Sequence, residues 1–425
     1  LSTGEVANNI VVQLFDRTVV EGLPRWTPGQ TARANSAGEF RFADLRPGSY
    51  KLLTHEWMDN DPVTATPGGQ LYGFPPSYYP ASADFSTAAA IEVTPGEIVE
   101  ADMSLARQAY YPVRIPVAGE DIGRGMRVTV QGQRGPGYEL GFNLAAHRIE
   151  GSLPNGTYGI SGASFGENAA SGRITLVVAG GPAETAPLVL TRDSSIHLNV
   201  KEEFNETKWN GSMTFNDGKH NYTLHGPRAN MQVSLESADE SGDRGGAGLR
   251  PPDGPTDDSF VFEDVVPGRY WLHAQTGQGY VASATMGMSD VLREPISVGA
   301  GANPPIEIVV RDDGARIEGT VTELANRAAL DPNSVENPFP RAWVYCVPLP
   351  DSTGQFQQIG VSAEGKFQSQ MLAPGSYRIL AFAKQQPFLP YRDPEAMKAY
   401  ESKGQVVNLA AGEKTTVEVQ LIPSD

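Results

Sequence analysis

The chain has 425 residues, enough for roughly three or four domains of ~100–150 residues, each large enough to bury its own core. Its 33 basic and 50 acidic residues leave a formal charge of −17, which argues against binding a phosphate backbone or an anionic membrane surface. No apolar run reaches the ~18 residues of a membrane-crossing helix.

Glycine (46) and proline (33) are scattered among Val, Ile, Tyr and Thr, the pattern of short strands joined by turns rather than of collagen or a linker. In chain order, VVQLF (11–15) reads as a strand, and GEFRFADLRPGSYKL (38–52) as two strands about a Pro-Gly reversal. GGQLYGFPPSYYP (68–80) follows as an aromatic loop, and VEADMSL (99–105) as a strand after the turn TPGE (94–97). YYPVRIPV (110–117), RIEGSLPNGTYGI (148–160) and APLVLT (186–191) continue the series. SIHLNV (195–200), DSFVFEDVVPGRYWL (258–272) and PIEIVV (305–310) form a third set. ARIEGTV (315–321), AWVYCVPLP (342–350), GKFQSQMLAPGSYRI (365–379) and TVEVQL (416–421) form a fourth. DPEAMKAYESKG (393–404) reads as the one helix, with Asp393 as N-cap, Pro394 at N1 and Gly404 as the stop.

These sets are copies of one unit. Phe40, Leu45, Pro47, Gly48, Tyr50 and Leu52 recur at the same offsets as Phe260, Val265, Pro267, Gly268, Tyr270 and Leu272, and as Phe367, Leu372, Pro374, Gly375, Tyr377 and Ile379. A degraded copy keeps Leu153, Gly156, Tyr158 and Ile160, with Asn155 in the proline place. The expected fold is all-β: four tandem Ig-like, transthyretin-like sandwiches at 1–108, 109–194, 195–312 and 313–425. Linkers of a few residues predict a semi-rigid rod, with one short helix in the last module. The first module enters almost directly at its second strand. Either upstream residues lie outside this chain or another chain supplies the strand, and an unfilled position leaves an edge that invites β-addition.

The three clear copies match the pattern G-x-F-x-F, aliphatic, P-G, x-Y-x-L. They resemble the carboxypeptidase regulatory-like (transthyretin-like, prealbumin-like) family, of the type common in acidobacteria. The resemblance implies an accessory, secreted role beside peptidases, before outer-membrane transporters or in surface arrays; related folds bind starch or build adhesin stalks.

The search for chemistry yields little. GASFG (162–166) has the G-x-S-x-G form, but an elbow needs a helix after it, and a turn and strand follow, so Ser164 reads as a loop serine. His55, His147, His197, His220, His225 and His273 include no metal-binding spacing; His220 and His225, five apart, face opposite sides of any strand. Asp59/Asp61, Asp257/Asp258 and Asp312/Asp313 read as turn and cap residues, although the last pair stands at a junction where calcium would stiffen the joint. The lone cysteine, Cys346, reads as a buried inert thiol. Tyr72, Phe74, Tyr78 and Tyr79 are the candidate ligand or interface residues, because aromatics held among prolines suit sugar stacking or a protein contact.

No catalytic residue, metal or cofactor is expected. The reading is a non-catalytic extracellular structural protein, a cell-surface stalk or a repeating filament subunit. Its partners are other copies of itself or surface glycans and proteins, with no nucleic acid and no membrane span. The alternatives are a carbohydrate-binding, adhesive array and the accessory region of a larger secreted hydrolase.

Overall fold

Period-2 burial makes each module two facing sheets, and three of the four close in one way. The computed structural model describes residues 8–59, 69–119, 125–164, 169–205, 208–216, 221–238, 246–330, 342–350, 352 and 354–422. In the third module the opening strand, Ser194–Glu203, turns Ser194, Ile196 and Leu198 inward. It runs antiparallel to the motif strand Phe260–Val265, with Leu198 opposite Phe260 and Ile196 opposite Phe262. Its other neighbour is the closing strand Ile306–Arg311, which lies parallel. The fourth module repeats this order: Arg316–Val321 sits between antiparallel Lys366–Gln368 and parallel Lys414–Val419. In the second, Gln108–Ala118 sits between antiparallel Arg148–Pro154 and parallel Ala183–Glu184 and Leu188–Val189.

The facing sheets are built around the strand that follows the Pro-Gly turn. Gly268–Thr276 pairs with Met231–Ser237 and Ile296–Val298, and Gly375–Phe382 with Ala342–Pro348 and Gln405–Leu409. Gly156–Ser164 pairs with Ala170–Val178 and Met126–Val130. Gly48–Thr54 pairs with Val11–Val20 and Ile91–Val93. Motif aromatics fill the space between the sheets: Phe260, Phe262 and Tyr270 share one cluster with Ile196, Ile306 and Ile308. Cys346 lies in the equivalent cluster of the fourth module, where burial pushes its thiol up to about 12.

The recurring tyrosine does more than fill volume. In every module its hydroxyl donates to the carbonyl four residues earlier: Tyr50 to Arg46 at 2.5 Å, Tyr158 to Pro154 at 2.9 Å, Tyr270 to Val266 at 2.7 Å and Tyr377 to Ala373 at 2.8 Å. Each bond ties the second strand back across its turn, as tyrosine corners do in other sandwiches. The second module belongs to the series on this evidence, although Asn155 replaces proline; its side chain accepts from Gly180 N at 2.7 Å instead.

The first module departs from the expected pattern. Residues 38–42 and 99–105, expected to be strands, join no ladder among the described residues. They still alternate inward and outward, with Phe40, Phe42, Ala101 and Met103 half-buried against Val12, Leu14, Tyr50 and Leu52. The physical reason is the opening strand: both segments would pair with it, and no described residue occupies its place.

Two further expectations need correction. Among the described residues three short helices are present, not one: Pro227–Asn230, Thr322–Leu330 and Pro394–Met397, the last running on as a 3₁₀ turn to Tyr400. Asp393 caps it as expected, accepting from Glu395 N at 3.0 Å and Ala396 N at 3.2 Å. Nor do the modules string out as a rod. The first reaches both the third and the fourth, because the tip of its long hairpin Val11–Val20/Leu23–Arg33 is itself a docking element.

Tyr377→Phe removes a hydroxyl and leaves a buried carbonyl without its donor. It is expected to destabilise the fourth module by about 1–3 kcal/mol, read from denaturant midpoints. An unchanged midpoint would mean that the tyrosine serves only as bulk.

Candidate functional site

The aromatic segment is a joint between the first two modules. Trp57–Met58 pairs with Leu71–Phe74, which pairs with Leu71 opposite Tyr110 on the second module's opening strand. Phe74 stacks on Trp57 at 5.2 Å and is buried with Ile10 and Leu105. Tyr78 has no solvent exposure. Its hydroxyl donates to Arg134 O at 2.8 Å and accepts from Arg134 N at 2.6 Å, and burial raises its pKa to about 12. Tyr72 lies beneath Arg107, whose guanidinium carbon is 4.1 Å from the ring and which also grips Asp59 at 2.7 Å. Tyr79 is half-buried on the first module's core. A sugar platform needs open ring faces, and Phe74 and Tyr78 offer none. Rigid aromatics between prolines look alike in sequence whether they face water or a neighbouring module.

The joint has a second half. The loop at 131–135 sits on the cluster of Phe15, Trp26, Leu53, Tyr78 and Phe85, with Phe85 N donating to Gly132 O at 3.1 Å. Gly135 has φ +83°, and a Cβ there would stand 2.8 Å from Phe15. Nearby, Glu56 Oε2 accepts from Glu139 N at 2.9 Å, and its carboxyl is buried beside the Tyr110 hydroxyl, with which it interacts. Burial pushes the Glu56 carboxyl above its ordinary pKa and that of the Tyr110 hydroxyl likewise.

A clasp joins the first module to the last two. Glu21 and Gly22, at φ +49° and +79°, make the tight hairpin turn. Gly22 O accepts from Arg392 N at 3.0 Å, and the Tyr391 ring packs so closely that a Cβ on Gly22 would lie 2.7 Å away. Tyr391 stacks on Phe356 at 3.9 Å, and its hydroxyl donates to Glu21 at 3.3 Å. Arg25, also from the hairpin, donates to Ser237 O at 3.0 Å and Ala238 O at 3.2 Å in the third module. His273 Nε2 stands 3.0 Å from Glu236, with Glu21 at 3.8 Å on its other side. Nothing periodic in the sequence marked this contact, since it joins residues 370 positions apart.

The remaining candidates are engaged structurally. Ser164 is the last residue of a strand rather than a loop residue; its Oγ accepts from Ala170 N at 2.9 Å and donates to Ala170 O at 3.2 Å. A groove of about 500 Å³ in the third module is lined by His197, Asp258 and Ser259 among others. Ser259 Oγ is instead held by Asp257 at 2.5 Å and Arg250 at 2.7 Å, and these bonds help hold Asp257 down at about 2. Asp312 accepts from Asn205 N at 2.8 Å, and Asp313 binds Arg311 at 2.6 Å and Tyr280 at 2.9 Å. His220 and Asp61 lie outside the described residues. Among the described residues no three His, Cys, Asp or Glu side chains come together to hold a metal, and no helix is long and apolar enough to cross a membrane.

No family model and no curated protein matches the chain. Among solved structures it is similar to the Bacillus anthracis TIE protein, at 10% identity over 97% of this chain and 68% of that one, with a TM-score of 0.17. It is also similar to the full-length RrgB pilus protein of Streptococcus pneumoniae, at 9% identity over 99% and 92%, with a TM-score of 0.15. Two B repeat units of the Staphylococcus aureus collagen binding protein align at 10% identity over 97% and 94%, with a TM-score of 0.17. The description of this chain as tandem β-sandwiches stands on its own sheet order.

Two substitutions probe the joints. Gly22→Val forces a branched side chain into a left-handed turn and against Tyr391, so the clasp should open. Small-angle scattering is expected to show a larger radius of gyration with the β spectrum kept; an unchanged radius would show that the clasp is not closed in solution. At Glu56 the folded chain holds its proton to higher pH than the unfolded chain does, so stability falls as pH rises through that interval. Glu56→Gln keeps an acceptor for Glu139 N and removes this loss. Thermal scans should show the variant melting above the parent at neutral pH and level with it in acid.

Proposed function

We propose that this chain is a non-catalytic structural protein of the cell exterior, a surface stalk or filament subunit built from sandwiches of the carboxypeptidase regulatory-like type. The observation that carries it is one sandwich scaffold repeated in four copies, each keeping the bond of its tyrosine hydroxyl to the carbonyl four residues earlier. The polar candidates for chemistry support the reading from the other side: Ser164, Ser259, Asp257, Asp312 and Asp313 hold one element to the next. An acidic surface at −17 suits a protein that must stay dispersed outside the cell until it meets its partner.

The test is immunogold electron microscopy of the source cells, with the native protein imaged in parallel. Label on surface fibres or projections, and ordered assemblies in the purified material, is the expected result. Label confined to the cell interior, with dispersed single particles at every concentration, would contradict the proposal.

A further inference from the structure

We propose that the free edge of the third module's opening strand, at 199–203, takes up an extended segment of a partner protein as an added strand. The segment it fits carries Lys or Arg two residues before an aliphatic residue.

The opening strand Ser194–Glu203 outruns its antiparallel neighbour. Its last pair with the motif strand is Leu198 with Phe260, whereas its pairing with the closing strand continues to Glu203. Residues 199–203 therefore have a described strand on one side only. In the second and fourth modules the motif side is paired to the end of the opening strand: Val117 N donates to His147 O at 2.9 Å and Val321 N to Gly365 O at 2.7 Å.

The backbone of the overhang is turned to the free side. Val261 O accepts from Arg250 N at 2.8 Å, so the polar groups of Val261 face away from the opening strand and those of Phe260 and Phe262 face toward it. Ile196 and Leu198, opposite them, face back, and the period of two carries the same direction on to Val200 and Glu202. The N–H and C=O of these two residues open onto the groove of about 500 Å³ that Val200, Glu202, Pro227, Asp258 and Ser259 help to line. That volume lies within the roughly 300–1,000 Å³ of ligand sites.

The chain's own preceding segment is held off this edge. Arg250 grips Asp253 at 2.7 Å and Asp257 at 2.8 Å, and Asp257 accepts from Asp253 N at 2.9 Å and Ser259 N at 3.1 Å. These bonds curl 253–259 into a turn of its own instead of a strand beside 199–203. Pro227, also in the groove wall, has no N–H to offer the open carbonyls.

The lining selects the occupant. A strand that continues the direction of the motif strand runs antiparallel to the edge and exchanges bonds with Val200 and Glu202. Its residue opposite Val200 shares the face that packs on the core, which calls for an aliphatic side chain. Its residue two positions earlier stands opposite Glu202. Glu202 and Asp258 both line the groove, and no Lys or Arg is among the described residues that do. Lys201 is on the other face of the strand, paired with Glu203 at 2.7 Å. A cationic side chain therefore meets carboxylates there, while an acidic segment is repelled by them and by a chain at −17.

The test titrates a fluorescein-labelled Thr-Arg-Thr-Val-Thr amide into the full 425-residue chain. Anisotropy is expected to show saturable binding, weakened by about tenfold in Glu202→Lys and restored in that variant when the arginine of the peptide is replaced by glutamate. Methylation of the arginine and valine amide nitrogens, which face the edge, should abolish binding, and methylation of the middle threonine nitrogen should leave it intact. No saturable binding, equal binding of the peptide methylated at the facing nitrogens, or unchanged affinity in Glu202→Lys would overturn the proposal. So would a dimer of the chain that excludes the peptide and that Glu202→Lys dissociates, since the edge would then serve a second copy. Surface fibres test the structural function alone, and their presence or absence leaves this result unaffected.

Discussion

The opening strand is the element on which each sandwich depends. It hydrogen-bonds two segments distant from each other in sequence, one antiparallel and one parallel, while turning its alternate side chains into the core. In the third module Ile196 and Leu198 do both at once, and full burial of each is worth about 1.5–3 kcal/mol. The first module separates the two contributions. Its flanking segments still lay Phe40, Phe42, Ala101 and Met103 against the opposite sheet, yet they form no ladder. Side-chain burial alone thus places the segments, and backbone pairing must come from the strand between them.

The same economy governs how modules meet. Where the 131–135 loop and the hairpin turn meet a neighbouring module the approach is so close that only glycine fits: Gly135 against Phe15 and Gly22 against Tyr391. Around these contacts the charged groups bond to backbone carbonyls or to each other, as Arg25 does with Ser237 and Ala238. The clasp therefore holds the first module against the third and fourth through directional bonds as well as packing. Its acidic and basic groups, Glu21, Glu236, His273 and Arg392, surround the aromatic contacts of Tyr391 and Trp271.

Much of the fold was legible because the repeat is written in offsets that physics reads locally. Alternating aromatics, a Pro-Gly reversal and a tyrosine three residues after the proline place two strands in each of the third and fourth modules. The tyrosine hydroxyl was legible in principle: phenylalanine would fill the same space, so tyrosine at that offset in four copies pointed to a bond. The unpaired segments of the first module had a counterpart in the sequence, which enters that module almost directly at VVQLF. Other features had no local signature. The helix Thr322–Leu330 follows directly on a strand that ends at Val321, without the capping residues that announced the one at Pro394. Tyr72, Phe74, Tyr78 and Tyr79 carried the composition of a binding surface, and only the neighbouring module shows that Phe74 and Tyr78 are inside. The fold-back depends on where four modules come to rest, which no window of sequence contains.

The most direct measurement of the central claim is amide hydrogen exchange on the isolated full chain. The account expects rapid exchange at 40–46 and 98–103, with slow exchange, limited by unfolding of the module, at the matched segments 260–265, 306–311, 366–368 and 414–419. Equal protection in all four modules would mean that a strand already fills the first sandwich, and the account of an open module would be wrong.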